Sequence, residues 1–411
     1  MISLPLAFSA LKGRHLHLGV CGSVAAYKAV DIMRALQKAG ASVSVTLTES
    51  AVRFIAPLTF ESLGADPVYT RMFGQDESVQ FGHLQPGRTA DAMLIAPASA
   101  TTLARLAAGL ADDMLAAQAL AFSGPLVIAP AMNPQMWLSP ATQHNVQLLT
   151  GRGCIFVQPA SGAVACGDSG QGRLADAPEI VLAAAKALLP QDMAGRIVLV
   201  TLGPTWESWD AVRVWTNRST GRMGAALVHA AYLRGATIHA VAGPGVPRLP
   251  DGVKRHNVES AAQMFEAAEA LWPTVDTGIF AAAVADFHPL PHTGGKFKKQ
   301  DAAQGFALPF SPNPDILAAL STQAGQAGPA ERKILGFAAE TSGLEAATRD
   351  KLQRKKAHLM AGNLVGGPDD AGFAASTNRM FVCDHNGREE EWPVMSKEDV
   401  AWRLLDWLST L

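Results

Sequence analysis

The sequence predicts an α/β fold in two domains, and three observations carry that expectation. Short apolar strands such as His15–Val20 and Ala92–Ala96 alternate with amphipathic helical stretches, the order that builds a parallel sheet. The pattern restarts at Arg196–Val200 after Leu189–Gly195, which reads as a linker between domains 1–190 and 191–411. At 411 residues, 48% hydrophobic and 17% charged, the chain has material for two ordinary cores.

Charge and cysteine content narrow the function classes. A formal net charge of -2 gives no global electrostatic pull toward nucleic acid or a membrane surface. The four cysteines, Cys21, Cys154, Cys166 and Cys383, show no C-x-x-C spacing. That argues against a zinc site or a disulfide framework and points to free thiols in a reducing compartment, the cytoplasm. Met1–Leu11 has no basic residue before its apolar run and is a poor signal peptide. No uninterrupted apolar run approaches the length of a membrane span.

The first half opens with strand His15–Val20, the tight loop Cys21-Gly22-Ser23 and a helix from about Val24 to Ala39. Ala25, Val30, Met33 and Leu36 supply that helix's apolar stripe, and Gly40 ends it. The next strand alternates through Leu47, with Thr48 just beyond it. A strand, glycine loop and helix in this order can set backbone N–H groups around a phosphate, although any βαβ unit needs such a turn. No G-x-G-x-x-G is present, which counts against a dinucleotide site. Residues 64–88 are irregular and contain Gly82-His83, where a loop histidine has structural, solvated and catalytic explanations. Ala92–Ala96 runs into Pro97–Thr102 and a helix carried by Leu103, Leu106 and Leu110. Ser99 and Thr102 at its start either cap the helix or hold the polar edge of a cofactor.

Pro125–Ala129 is a fourth buried strand, and Pro130–Trp137 follows it. Loops after strand ends are where open α/β sheets bind ligands. Here two prolines bracket Asn133, whose amide can bind a carboxylate. Met132, Met136 and Trp137 can pack against a flat ring. The plainer alternative is a stiff turn with a buried Met and Trp. A helix near Ala141–Leu149 and the strand Cys154–Val157 come next. Gly162–Leu174 is glycine-rich, reads as a mobile flap and carries Cys166 at its centre.

In the second half, Thr216–Gly224 precedes a helix through Leu227 and Tyr232, and its arginines and small residues suit an anion. Gly278–Asp286 reads as a strand ending in a carboxylate, followed by the lysine-bearing loop Gly294–Lys299. Those lysines make either a solvated face or a triphosphate site with magnesium. Asn313-Pro314-Asp315-Ile316 starts a helix with capping chemistry, and Ile334–Thr341 is a strand and turn. Lys351 and Lys355 share one helix face at i, i+4. The last helix, about Lys397–Leu408, is amphipathic and is expected to pack on the core.

Together these motifs resemble, over nearly the whole chain, the bifunctional coenzyme A biosynthesis family. That family joins an FMN-dependent phosphopantothenoylcysteine decarboxylase to a CTP-dependent phosphopantothenate–cysteine ligase. Residues 130–137 match its P-x-M-N-x-x-M-W signature, Gly82-His83 its histidine region, and Ala165–Asp168 with Gly170–Arg173 its flap. Thr216–Gly224, Ala282–Asp286, Lys296–Lys299, Asn313–Ile316 and Gly336–Thr341 resemble its ligase motifs. The chain departs from the family pattern at Thr101, Thr220, His358 and Gly362, and in the turn Thr201–Glu207.

The resemblance implies two Rossmann-like domains, the first flavodoxin-like. It implies FMN at Gly22, Ser23, Thr48, Ser99, Thr102, Met132 and Met136, and catalytic roles for His83, Asn133, Cys166 and Asn217. CTP with Mg2+ would meet Ala282, Asp286, Lys296, Asn313, Asp315, Phe337, Lys351 and Lys355. The implied assembly is a dodecamer, with trimers of the flavin domain and dimers of the ligase domain. The competing readings are a flavin decarboxylase fused to an inert ligase domain and a non-catalytic flavoprotein. A plain dehydrogenase is disfavoured by the missing glycine fingerprint.

Overall fold

A computed structural model of the chain describes residues 10–73, 81–163, 167–290, 296–297, 305–323, 332–365 and 375–411. The chain forms two compact units that divide between Pro190 and Gln191.

The first unit is built on six parallel strands: β1 (His15–Val20), β2 (Ser42–Leu47), β3 (Val68–Tyr69), β4 (Ala92–Ala98), β5 (Leu126–Pro130) and β6 (Ile155–Phe156). Their order is β3-β2-β1-β4-β5-β6. Apart from the two-residue edge strand β3, this is the flavodoxin-like arrangement, with its switch point between β1 and β4. β4 is buried along its whole length, as expected of a parallel strand covered on both faces. Leu103, Ala107, Leu115 and Leu149 pack with Ile95 and Ile128. The helices Lys28–Lys38 and Ala177–Leu188 pack together against β2, β4 and β5. Where one helix was expected from Val24 to Ala39, a 3₁₀ turn (Val24–Tyr27) feeds the α-helix Lys28–Lys38. The glycine-rich segment forms an antiparallel hairpin of β7 (Ala160–Ala163) and β8 (Ser169–Arg173), paired Gly162 with Gly170. Cys166, which falls between these strands in sequence, lies outside the described residues.

The second unit carries an eight-stranded sheet and two small antiparallel pairs. In chain order the strands are β9 (Ile197–Leu202), β10 (Trp206–Ser208), β11 (Val214–Thr216), β12 (Thr237–Ala242), β13 (Lys254–Asn257) and β14 (Thr277–Phe280). They continue with β15 (Phe287–Pro289), β16 (Phe310–Pro312), β17 (Lys333–Glu340), β18 (Leu359–Leu364), β19 (Thr377–Asp384) and β20 (Glu389–Ser396). The large sheet runs β13-β12-β9-β14-β17-β18-β19-β20. Its first six strands are parallel in Rossmann order, and β19 and β20 extend it antiparallel.

Alternation along β9 divides the core between the two faces. Val198 and Val200 join the helices Arg222–Leu233 and Lys397–Thr410 through Leu227, Leu404 and Trp407. Leu199 joins the opposite cluster with Met264, Trp272, Leu320 and Leu352. The last helix thus packs as its stripe requires.

One sequence expectation is corrected here. The strand expected to reach Asp286 stops at Phe280. Beyond it, pairing with the β9 side dwindles to an isolated bridge of Pro204 with Ala283, and side chains take the carbonyls of residues 283–285. Asn217 donates to Ala283 O and Val284 O at 3.2 and 3.0 Å, and Asn313 donates to Ala285 O at 2.8 Å.

Candidate functional site

In the first unit the strand ends gather the expected residues. β1 delivers Gly22 and Ser23, β2 Thr48, β4 Ser99, and β5 Met132 and Asn133. Ser23, Thr48 and Ser99 each cap the start of the following helix, accepting from Ala25 N, Ala51 N and Thr102 N at 3.2, 3.3 and 3.2 Å. Three capped helix starts thus stand at the carboxyl ends of β1, β2 and β4 and form a rim beside the switch point. Gly22 is required by packing: a Cβ there would lie 2.4 Å from Ser50 Cβ on the neighbouring loop. Thr102 sits deeper than a rim residue. It is buried, with its hydroxyl 3.2 Å from Ser99 Oγ and 3.1 Å from Cys21 Sγ, so it supports Ser99.

Asn133 caps the short helix Pro134–Leu138, its Oδ1 accepting from Gln135 N at 2.8 Å. Its Nδ2 donates to Asp168 Oδ2 at 2.5 Å, so this amide already holds a carboxylate. The hairpin is seated on the same loop by Met132 N donating to Gly172 O at 2.9 Å. Gly172, at φ 153°, approaches so closely that a Cβ would fall 2.6 Å from Met132 O. Met136 is half exposed, whereas Trp137 is 3% exposed. Trp137 therefore packs beneath the loop, and of the three apolar side chains expected as a wall, the methionines are the accessible ones.

The turn that carries His83 is tied to a polar network on β1 and β2. Gly82 O accepts from Gln118 Nε2 at 3.1 Å, and Gln118 Oε1 accepts from Thr46 Oγ1 at 2.6 Å. His17 Nε2 lies 2.9 Å from Thr46 Oγ1, and its Nδ1 lies 2.8 Å from Ser44 Oγ. Burial pushes His17 down to about 3, against the opposing hydrogen bond to Gln118 and with help from nearby His15. A neutral, buried polar network therefore positions the turn that carries His83. Sequence reading passed over it because its members are scattered from residue 17 to 118.

In the second unit one cavity of about 750 Å³ collects most of the expected ligase residues. Asn217, Ala282, Asp286, Asn313, Asp315, Phe337, Lys351 and Lys355 all line it. The loop after β9 and the helix start at Gly221 meet tightly, since a Cβ on Gly221 (φ 68°) would be 3.2 Å from Gly203 Cα. Asp315 caps its helix by accepting from Ala318 N at 3.1 Å and also pairs with Lys355. Lys351 pairs with Glu340 at 2.7 Å. Burial lowers the Lys355 pKa, opposed by Asp286.

Lys296 does not join the cavity lining. It is exposed, and the adjacent Phe297 is anchored on another loop: its N donates to Asp210 Oδ2 at 3.1 Å, and its ring lies against Trp209. Conversely, Asn363, Asn378 and Lys397 line the cavity and were not expected there, while Arg222 joins them from the loop whose arginines suit an anion. One local signal was available for two of them. Arg222 and Lys397 are cations in the first turn of a helix, where the dipole disfavours positive charge.

Two family models cover the chain: "Flavoprotein" over residues 8–189 and "DNA/pantothenate metabolism flavoprotein C-terminal domain" over 193–411. The coenzyme A biosynthesis bifunctional protein of Bacillus subtilis (strain 168) is 40% identical over 405 residues, 98% of each chain. The chain belongs to the bifunctional coenzyme A biosynthesis protein family. The Mycolicibacterium smegmatis member is 40% identical over 400 residues, 95% of each chain, and that of Vibrio vulnificus (strain YJ016) is 37% identical over 403.

Solved relatives include the C-terminal domain of a coenzyme A biosynthesis bifunctional protein, 30% identical, covering 54% of this chain and 97% of that chain, TM-score 0.44. Another is a PPC decarboxylase variant complexed with pantothenoylaminoethenethiol, 28% identical, covering 42% and 96%, TM-score 0.37. As a member of this family the chain is a bifunctional enzyme, with a decarboxylase half that is a flavoprotein and a ligase half. Among the described residues no helix is long and apolar enough to cross a membrane.

Proposed function

We propose that the second unit joins cysteine to 4'-phosphopantothenate with CTP. The first unit then decarboxylates phosphopantothenoylcysteine to 4'-phosphopantetheine with FMN, in the cytoplasm. The observation that carries this reading is the convergence of eight separately placed ligase-motif residues on one cavity. In that cavity the acyl substrate's carboxylate would attack CTP, releasing pyrophosphate and leaving an acyl-cytidylate, from which cysteine's amine displaces CMP. Lys351 and Lys355 would exchange Glu340 and Asp315 for phosphate oxygens. Asn217 spends its amide N–H groups on Ala283 O and Val284 O, which leaves Oδ1 to orient the incoming amine. Mg2+ would arrive with the triphosphate beside Asp286. No group of three His, Cys, Asp or Glu among the described residues is arranged to hold a metal alone.

The rim of the first unit fits FMN. Capped helix starts after Gly22, Thr48 and Ser99 suit its phosphate and polar edge, and the exposed Met136 with the partly buried Met132 suits a flat ring. Bound FMN would supply reversible hydride acceptance. Asn133 would bind the departing carboxylate, a role supported by its hold on Asp168. His83 would assist substrate activation, and Cys166 would protonate the product enethiol as it is reduced. The hairpin that bears Cys166 is fastened to Met132 and Asn133, which supports delivery of the thiol to that place with water excluded.

The chain would act as a homo-oligomer, a dodecamer of flavin-unit trimers and ligase-unit dimers. Exposed Tyr27, Leu58 and Phe73 on the first unit and Trp215 on the second support self-association, checked by light scattering. The deciding assay supplies phosphopantothenate, cysteine, CTP and Mg2+ and looks for phosphopantetheine. Absence of pyrophosphate rejects the ligase reading, and a stalled phosphopantothenoylcysteine pool rejects the decarboxylase reading.

A further inference from the structure

The first unit hides a row of polar side chains where its fold calls for apolar ones. A parallel strand covered on both faces usually reads as a continuous apolar run. β1 and β2 instead alternate, and His15 and His17 stand beside Ser42, Ser44 and Thr46 on one face of the pair. His17, Ser44 and Thr46 are each at most 2% exposed, as is Gln118 on the helix Met114–Leu120. Buried polar groups of this kind are costly unless every one of them is satisfied.

Their hydrogen bonds can run in one direction only. Gly82 O can only accept, so the Gln118 Nε2 group donates to it and Gln118 Oε1 must accept. Thr46 spends its one hydroxyl proton on that oxygen, at 2.6 Å. His17 Nε2, 2.9 Å from Thr46 Oγ1 and 3.2 Å from Gln118 Oε1, therefore carries a ring proton and donates. Burial keeps His17 neutral, so its Nδ1 is bare and accepts from Ser44 Oγ at 2.8 Å. Ser44 in turn accepts from His15 Nε2 at 2.9 Å. A chain of donors thus leads from half-buried His15 to the Gly82 carbonyl, and it denies the Gln118 amide any freedom to flip.

The turn at the end of this chain is one that needs holding. Phe81 is 57% exposed yet stands at φ 62°, a left-handed conformation that a bulky L residue seldom adopts. Leu84 N closes the turn by donating to Phe81 O at 2.8 Å. Beyond it, the short helix Gln85–Thr89 meets the end of the helix that carries Gln118, where a Cβ on Gly87 would lie 2.8 Å from Ala121 O.

We infer that Gln118, locked in place by Thr46 and His17, is a positioning residue for decarboxylation that holds the His83 turn in its working conformation. The inference rests on the functional reading above, in which His83 assists substrate activation, and adds what sets the place of that histidine. Gln118 acts through the Gly82 carbonyl and not on the substrate.

Two measurements on the full FMN-loaded chain test this: CO2 release from supplied phosphopantothenoylcysteine, and amide exchange across residues 81–90. Gln118→Met keeps the length of the side chain and removes both of its polar ends. It should speed exchange in the turn and lower kcat at least about tenfold, with KM, flavin content and ligation within about twofold of wild type. Thr46→Val should lower kcat in the same direction, and Thr46→Ser, which keeps the hydroxyl, should restore it. That pair keeps the test open if Gln118→Met fails to fold. In a His83→Asn chain, adding Gln118→Met should cost less than about twofold more, because both act through one turn. Wild-type kcat or unchanged exchange in Gln118→Met, wild-type kcat in Thr46→Val, or a full further loss in the His83→Asn chain overturns the positioning role while the functional reading stands. Undiminished turnover by His83→Asn overturns the reading of His83, and the positioning role with it.

Discussion

At residue scale, His17 makes a sharp prediction about acid stability. Its proton is disfavoured by burial in the native state, whose pKa is about 3, and accepted near 6.5 once the chain unfolds. Between those values the unfolded chain binds more protons, so stability falls as pH drops below 6.5, by up to about 1.4 kcal/mol per unit. Above 6.5 the group contributes no slope. Amide exchange in β1 at pH 7 and pH 5 reads the loss, and a first unit equally protected at both would refute it. Asn217→Ala should accumulate acyl-cytidylate in quenched reactions while supplied phosphopantothenoylcysteine is still decarboxylated. Unimpaired cysteine ligation removes Asn217 from the chemistry. Cys166→Ser should release CO2 but stop at the enethiol, and full turnover to phosphopantetheine would refute the thiol's role.

At the scale of elements, the hairpin β7–β8 depends on one close approach. Gly172→Ala would press a Cβ to 2.6 Å from Met132 O at a φ of 153°, where L side chains are strained. The cost, on the order of 1–3 kcal/mol, should lift the hairpin from the Asn133 loop. Decarboxylation should drop by tenfold or more, checked by CO2 release, with ligation intact in the same preparation. Equal decarboxylation by the variant would show that hairpin seating does not control the reaction.

Element boundaries were legible where burial alone decides them: β1, β4 and β5 stand in the sequence as apolar runs and in the structure as buried strands. The run Gly278–Asp286 misled for the same reason. Alanine and valine there look like strand, yet Asn217 and Asn313 take their carbonyls, and no local pattern announces a partner 66 residues away.

For the whole molecule, two units with separate cores imply separable activities. A mixture of Asn217→Ala and Cys166→Ser chains should therefore make phosphopantetheine from phosphopantothenate, cysteine and CTP, as neither chain does alone. Failure of the mixture, with both singly defective chains folded, would mean that the intermediate must stay within one chain.

The sequence by itself determined the α/β class, the restart after residue 190, and the glycine, amide and hydroxyl loops at strand ends, because burial periodicity and turn chemistry are local properties. Tertiary structure alone decided which of those loops share a site. It put Trp137 beneath the Asn133 loop, set His83 on a buried network and left Lys296 off the ligase cavity. It also brought Lys397, which sequence reading had placed on a packing helix, to face Arg222 across 175 residues of chain. Such a pairing depends on how two helices dock on one sheet face, and no window of sequence contains both of them.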